Sequence, residues 1–161
     1  MVIFIALLIA FKTFAVDVYV DLFHGLQNQL IFSVEAPVDV QESMLAGINV
    51  INDSKEGVRV NMELWELSYR RYINNTSGGV FYSFGSRAGL TRISSSGFNE
   101  EKELAVMPFY DIGIKSKLND RWYHVLKIEA GYFILYSDKI NVDHMLGLQF
   151  TPFFSFGYNL D

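Results

Sequence analysis

From residue 16 onward, apolar and polar side chains alternate one by one along most of the chain, most plainly over residues 145–160. There Leu146, Leu148, Phe150, Pro152, Phe154, Phe156, Tyr158 and Leu160 share one face of an extended segment. Met145, Gly147, Gln149, Thr151, Phe153, Ser155, Gly157 and Asn159 share the other. A period of two is the pleat of a β-strand whose faces meet different surroundings. The first face is broad and aromatic, and the segment carries no charge. A soluble sandwich would place charged side chains outward, so this strand fits a wall whose outer face meets lipid.

Seven earlier segments alternate in the same way, at residues 16–23, 29–36, 45–52, 58–73, 80–94, 103–118 and 121–137. Turn chemistry separates them at 25–28, 37–43, 53–57, 74–79, 95–102, 119–120 and 138–143. Residues 58–73 break the rule: Val58, Val60, Met62 and Leu64 hold even positions, then Trp65, Leu67 and Tyr69 hold odd ones. A slip of one residue turns every side chain over, so a β-bulge near Leu64 and Trp65 accounts for the switch. Alternatively, only the later half of the strand crosses the membrane. Eight strands with alternating short connections predict an all-β, antiparallel, up-and-down closed transmembrane barrel over residues 16–161.

The 161 residues make one domain, and an aromatic share of 16% suits interfacial girdles. Residues 2–11 form an apolar run too short to span a bilayer as a helix, followed by small residues at 13 and 15. Residues 1–15 are therefore read as a secretory signal, with a buried N-terminal helix or strand as the other reading. A net charge of -5 leaves no basic stripe for nucleic acid, and the absence of cysteine removes disulfide frameworks and thiolate zinc sites.

With the apolar faces outward, the opposite faces enclose Asp17, Asp21, Glu35, Arg70, Arg87, Asp111, Lys115, Lys127 and Glu129 among several glycines. Eight strands leave room for side chains and little bore. The expectation is a lumen plugged by a charge network of Arg70, Arg87, Asp111, Lys115, Lys127 and Glu129. Arg87 or Lys127 should lie within ion-pairing reach of Asp111 or Glu129, because unpaired buried charges are costly. Leu146, Leu148, Phe150, Phe154 and Phe156 are expected to face lipid, with Phe154 near mid-wall. Trp65, Trp122, Tyr136 and Tyr158 are expected at headgroup level, with Tyr69, Tyr72, Tyr123 and Tyr132 grouped in the same belt. A carbohydrate platform is the other use such rings could have.

Chemistry beyond this is sparse. His24, His124 and His144 lack partners at metal-ligand spacing, so no metal and no cofactor is expected. Ser137 with His144 and Asp138 or Asp143 is the one grouping a lipid hydrolase or acyltransferase could use. No nucleophile-elbow, phosphate-loop or dinucleotide motif accompanies it, and the expectation is no enzyme.

The run Leu67-Ser68-Tyr69-Arg70-Arg71-Tyr72, an Asn-rich turn, and Gly79-Val80-Phe81-Tyr82-Ser83-Phe84-Gly85 resemble strand-turn-strand pairs of small outer-membrane proteins. As a pattern, residues 16–161 resemble the eight-stranded barrels of the outer-membrane protein A and X type. They depart from that class at the C-terminus, where an aromatic residue is usual and Tyr158-Asn159-Leu160-Asp161 stands. The resemblance implies the fold and a Gram-negative outer membrane, and it implies no catalytic residues. The function expected is structural or surface interaction by a monomer. Its expected partners are outer-membrane lipid, lipopolysaccharide and the barrel-assembly machinery. Two other readings remain open: a lipid-modifying enzyme of the same architecture, and a secreted lipocalin-like barrel. The latter needs the aromatic faces inward and Arg87, Asp111, Lys127 and Glu129 outward.

Overall fold

A computed structural model of the protein describes residues 16–21, 29–55, 58–95, 98–136 and 147–160. Its strands are β1 (Asp17–Asp21), β2 (Gln29–Pro37), β3 (Glu42–Lys55), β4 (Val58–Tyr72), β5 (Gly79–Ser95), β6 (Phe98–Lys117), β7 (Trp122–Tyr136) and β8 (Gly147–Asn159). Each pairs antiparallel with its sequence neighbours, and β8 closes on β1 through pairs such as Val20 with Phe156. Closure leaves no sheet edge, and alternation then decides what faces in. On β5, Val80, Phe84 and Leu90 are exposed on the wall while Phe81, Ser83, Arg87 and Thr91 are buried.

Three expectations are corrected. No bulge interrupts β4: its register with β3 is unbroken from Val58–Lys55 to Arg71–Glu42, and with β5 from Val58–Ser95 to Tyr72–Phe81. Val60, Met62, Leu64, Glu66, Ser68, Arg70 and Tyr72 are all buried on one face. The apparent switch arises because the lumen itself changes character. Val60, Met62 and Leu64 pack against Ile93, Ala105, Met107 and Phe133 in an apolar layer, and polar residues fill the bore below it. The second correction concerns residues 95–102, read as a loop; β6 begins at Phe98, and Arg92 pairs with Lys102. Third, β3 runs from Glu42 to Lys55, well past the expected 45–52. In these strand ends both faces are polar, so the alternation fades while backbone pairing continues. The turns read at 25–28 and 138–143, and the segment 1–15, lie outside the described residues.

The strands are tilted. A row of paired residues from Val20 passes through Phe32, Ile48, Trp65, Ala88, Val106 and Ile134, which adjoins the Phe133–Gly147 pair. Val20 itself pairs with Phe156, at the other end of β8. Paired rows therefore climb round the wall, as barrel shear requires. A level plane drops by about one residue on each successive strand from β5 to β8. Level with Leu90 and Val80 on β5, it reaches Leu148 and Tyr158 on β8, with Phe154 near the middle.

Inward glycines make room for large neighbours. A Cβ at Gly157 would run into the Tyr19 ring, which is buried and held by its hydroxyl on Glu35. Gly157→Val is expected to destabilise the barrel by roughly 1–3 kcal/mol through overpacking, read as a lowered urea midpoint in detergent. An unchanged midpoint would show that Tyr19 is free to move aside.

Candidate functional site

The polar bore holds two tiers of charge. In the lower tier, Glu35 accepts hydrogen bonds from Arg70 Nη1 at 3.0 Å, Tyr19 at 2.8 Å, Tyr72 at 2.6 Å and Ser43 at 2.5 Å. Lys115 Nζ donates to Asp17 at 2.5 Å and to the Thr76 carbonyl at 2.9 Å, and lies 3.5 Å from Glu35. Asn159 also donates to Asp17, at 2.9 Å. This tier joins β1, β2, β3, β4, β6 and β8 at one end of the barrel.

In the middle tier, Arg87 on β5 reaches both ways. Its Nε donates to Glu66 on β4 at 2.7 Å, and its two terminal nitrogens grip Glu129 on β7 at 2.5 and 2.7 Å. A planar guanidinium suits such two-point contact with a carboxylate. Lys127 donates to Asp111 on β6 at 2.7 Å and to Glu129 at 3.3 Å, while Ser83 donates to Asp111. Aromatic faces back the cations: Arg70 lies 4.0 Å over Phe81, Arg87 4.5 Å over Phe109 and Lys127 4.6 Å over Phe153. Charges taken out of water need this density of partners to be tolerated.

Little empty space remains. A cavity of about 20 Å³ between the tiers, bordered by Tyr19, Glu66, Arg70 and Arg87, has room for about one water molecule. A polar pocket of about 100 Å³ beside Asp17, Glu35 and Lys115 marks the lower mouth. There the 73–78 turn is tied to the 38–41 turn by Thr76 N–H donating to Val40 at 2.9 Å and by Gln41 donating to Ile73 and Asn74. Above the tiers lies the apolar layer, where Leu64 is 1% and Phe133 5% exposed. Among the described residues, no histidine and carboxylate grouping is set to hold a metal ion.

Arg70, Arg87, Asp111, Lys115, Lys127 and Glu129 are all buried, Arg70 and Lys115 in the lower tier and the other four in the middle one, and Asp21 accepts from Ser155 at 3.1 Å. Glu66 completes the Arg87 site and was not among the expected members, although it shares the parity of Arg70 on β4. Tyr72 and Tyr123, grouped above with the interfacial belt, are instead buried in the lumen; their parity on β4 and β7 points inward. Leu148, Phe150 and Phe154 are exposed on the outer wall, and Phe156 is half-buried with its ring 5.1 Å from that of Phe154. Trp122 and Tyr158 stack edge to face at 4.9 Å at one margin of the wall, and Trp65 is exposed nearer the other. His124 faces outward beside Phe154, ring centres 6.2 Å apart. Leu146, His24, Ser137, Asp138, Asp143, His144 and the Tyr136 side chain lie outside the described part.

No family model matches the chain, and no curated protein matches it. Among solved structures, it is similar to the crystal structure of the N-terminal beta-barrel domain of Pseudomonas aeruginosa OprF. The match has a TM-score of 0.56 at 12% identity and covers 91% of this chain and 96% of that one. At that identity the likeness is one of fold, a closed eight-stranded antiparallel barrel of the kind the strand pattern predicts.

Proposed function

We propose that this chain is a small barrel of a Gram-negative outer membrane, exported by residues 1–15, with a structural or surface-interaction role and a lumen closed to solutes. One observation carries the reading: an apolar band of side chains encircles the described outer wall, uncharged on β5 to β8 and bounded on β4 by the exposed Glu63 opposite Leu90. On β5 it runs from Val80 to Leu90 and on the paired β6 from Ile114 to Leu104. Ten residue steps are roughly 33 Å of strand, or about 25 Å of height at a tilt near 40°, the apolar height of outer-membrane barrels. Lys117 and Arg121 lie beyond one margin, with Trp122 and Tyr158 at it; Arg92 and Lys102 lie beyond the other. The connections at 38–41, 73–78 and 118–121 are assigned to the periplasmic side. Lipid, lipopolysaccharide and the assembly machinery are the proposed partners, and the barrel is proposed to act as a monomer.

The enclosed charges and exposed phenyl rings reverse what a lipocalin-like ligand barrel needs, and nothing in the described part supports lipid-modifying chemistry. The Arg87 bridge to Glu66 and Glu129 spans the bore, and the apolar layer above it disfavours a continuous water column. Single-channel recordings of the purified protein in planar bilayers are expected to show little or no conductance. Stable openings of a defined size would replace this reading with a pore. Heat-modifiable gel migration, together with a detergent requirement for extraction, tests the membrane placement itself.

A further inference from the structure

The two margins of the band differ in charge pairing. At the Trp122 margin, Arg71 has Glu42 at 3.8 Å and Arg121 donates to the Tyr158 hydroxyl at 3.0 Å. At the opposite margin, Arg59 on β4, Arg92 on β5 and Lys102 on β6 are exposed on adjacent strands of the same outer face. Arg92 and Lys102 are direct cross-strand partners, and Arg59 pairs with Ser94, the next outward position on β5. Like charges so placed repel one another. Among the described residues, none of the three makes an ion pair. Glu63 shares the face, opposite Leu90.

Beside this row, a groove with about 260 Å³ of open space is cut into the outer wall. Trp65, Leu90 and Val50 line its apolar part, within the band, while Arg92, Asn61 and Asn52 line its polar part just beyond it, with the Glu63 carboxylate between the two. An apolar slot that opens at the band's margin onto three exposed cations and one exposed carboxylate, Glu63, matches one kind of molecule: an acyl chain carrying a phosphate. Guanidinium groups suit phosphate oxygens, which accept two parallel hydrogen bonds.

We infer that this face of β4, β5 and β6 is a binding site for a phosphorylated lipid of the outer leaflet. The phosphate lies among Arg59, Arg92 and Lys102, and a chain follows Trp65 and Leu90 down the groove. The inference rests on the membrane reading above and adds to it a lipid preference at one place on the wall.

Trp65 reports on the groove directly, because Trp122 is the chain's other tryptophan and lies at the far margin. In the Trp122→Phe protein, reconstituted in phosphatidylcholine vesicles, a small fraction of acyl-brominated phosphatidic acid should quench Trp65. It should do so with an apparent local enrichment of about fivefold over brominated phosphatidylcholine at equal fraction, the scale of one favourable cation contact at an anionic surface. Adding Arg92→Ala and Lys102→Ala, both exposed on the outer wall, should return the quenching to the phosphatidylcholine level. Inorganic phosphate at millimolar concentration should not compete.

Equal quenching by the two brominated lipids would overturn the site and leave the membrane reading standing. So would enrichment that survives the double substitution. Competition by inorganic phosphate would assign the cations to free phosphate and overturn the lipid assignment. Failure of either lipid to quench Trp65 would remove the membrane reading and the site with it.

Discussion

Arg87→Met should destabilise the barrel by about 3–5 kcal/mol, because it leaves two buried carboxylates facing each other across the space the guanidinium occupied. Glu66 and Glu129 are 7% and 1% exposed, and Arg87 supplies three of their hydrogen bonds. Lys127 remains 3.3 Å from Glu129, but it is already committed to Asp111 at 2.7 Å. Urea unfolding from lipid vesicles, followed by tryptophan fluorescence, measures the loss. Adding Glu66→Gln and Glu129→Gln to Arg87→Met should recover most of it, since the cost lies in stranded charge and not in the missing side chain's volume. A single Arg87→Met variant as stable as the parent would show that water reaches the middle tier freely. The bore would then have to be described as an aqueous path.

The fold was legible because its signal is local: outward Val80, Phe84 and Leu90 and inward Ser83 and Arg87 can be read without knowing what β5 pairs with. The same parity turns Arg70, Arg87, Asp111, Lys115, Lys127 and Glu129 inward, where all six are buried. It failed where a face keeps its direction but changes its solvent. Val60, Met62 and Leu64 are inward yet apolar, so β4 seemed to turn over at Trp65, when in fact the lumen passes from a charged tier to an apolar layer. Tyr72 and Tyr123 were misplaced for a related reason. An amphipathic ring suits a headgroup belt and a buried hydrogen bond to Glu35 equally well, and residue type alone does not separate the two. Strand length beyond the band was hidden because Asn99, Glu100, Glu101 and Lys102 on β6, like Asp53, Ser54 and Lys55 on β3, are polar at every position and read as loop. The exposed cation row was illegible in principle. Arg59, Arg92 and Lys102 are far apart in sequence and become neighbours only through the registers of β4, β5 and β6.

Phe154→Arg is the sharpest test of where the band lies. With strand tilt taken into account, Phe154 is near mid-height on β8, and Tyr158 is at the margin beside Trp122. An arginine on the lipid face costs about 2–4 kcal/mol at the bilayer midplane and about 0–1 kcal/mol near an interface. Phe154 also packs against Phe156 at 5.1 Å, so Phe154→Ala is needed to separate lost ring contact from the cost of charge in hydrocarbon. The Arg-minus-Ala difference at position 154, measured by reversible folding into lipid vesicles, should fall in the midplane range. The same difference at Tyr158 should be close to zero, because an arginine there reaches the headgroups by extending its stem. In detergent micelles, which deform around a charge, the gap between the two sites should narrow. Equal costs at 154 and 158 in vesicles would mean that the level band does not coincide with the hydrocarbon core. The exposed Leu148, Phe150 and Phe154 would then need a protein partner, not lipid, to cover them.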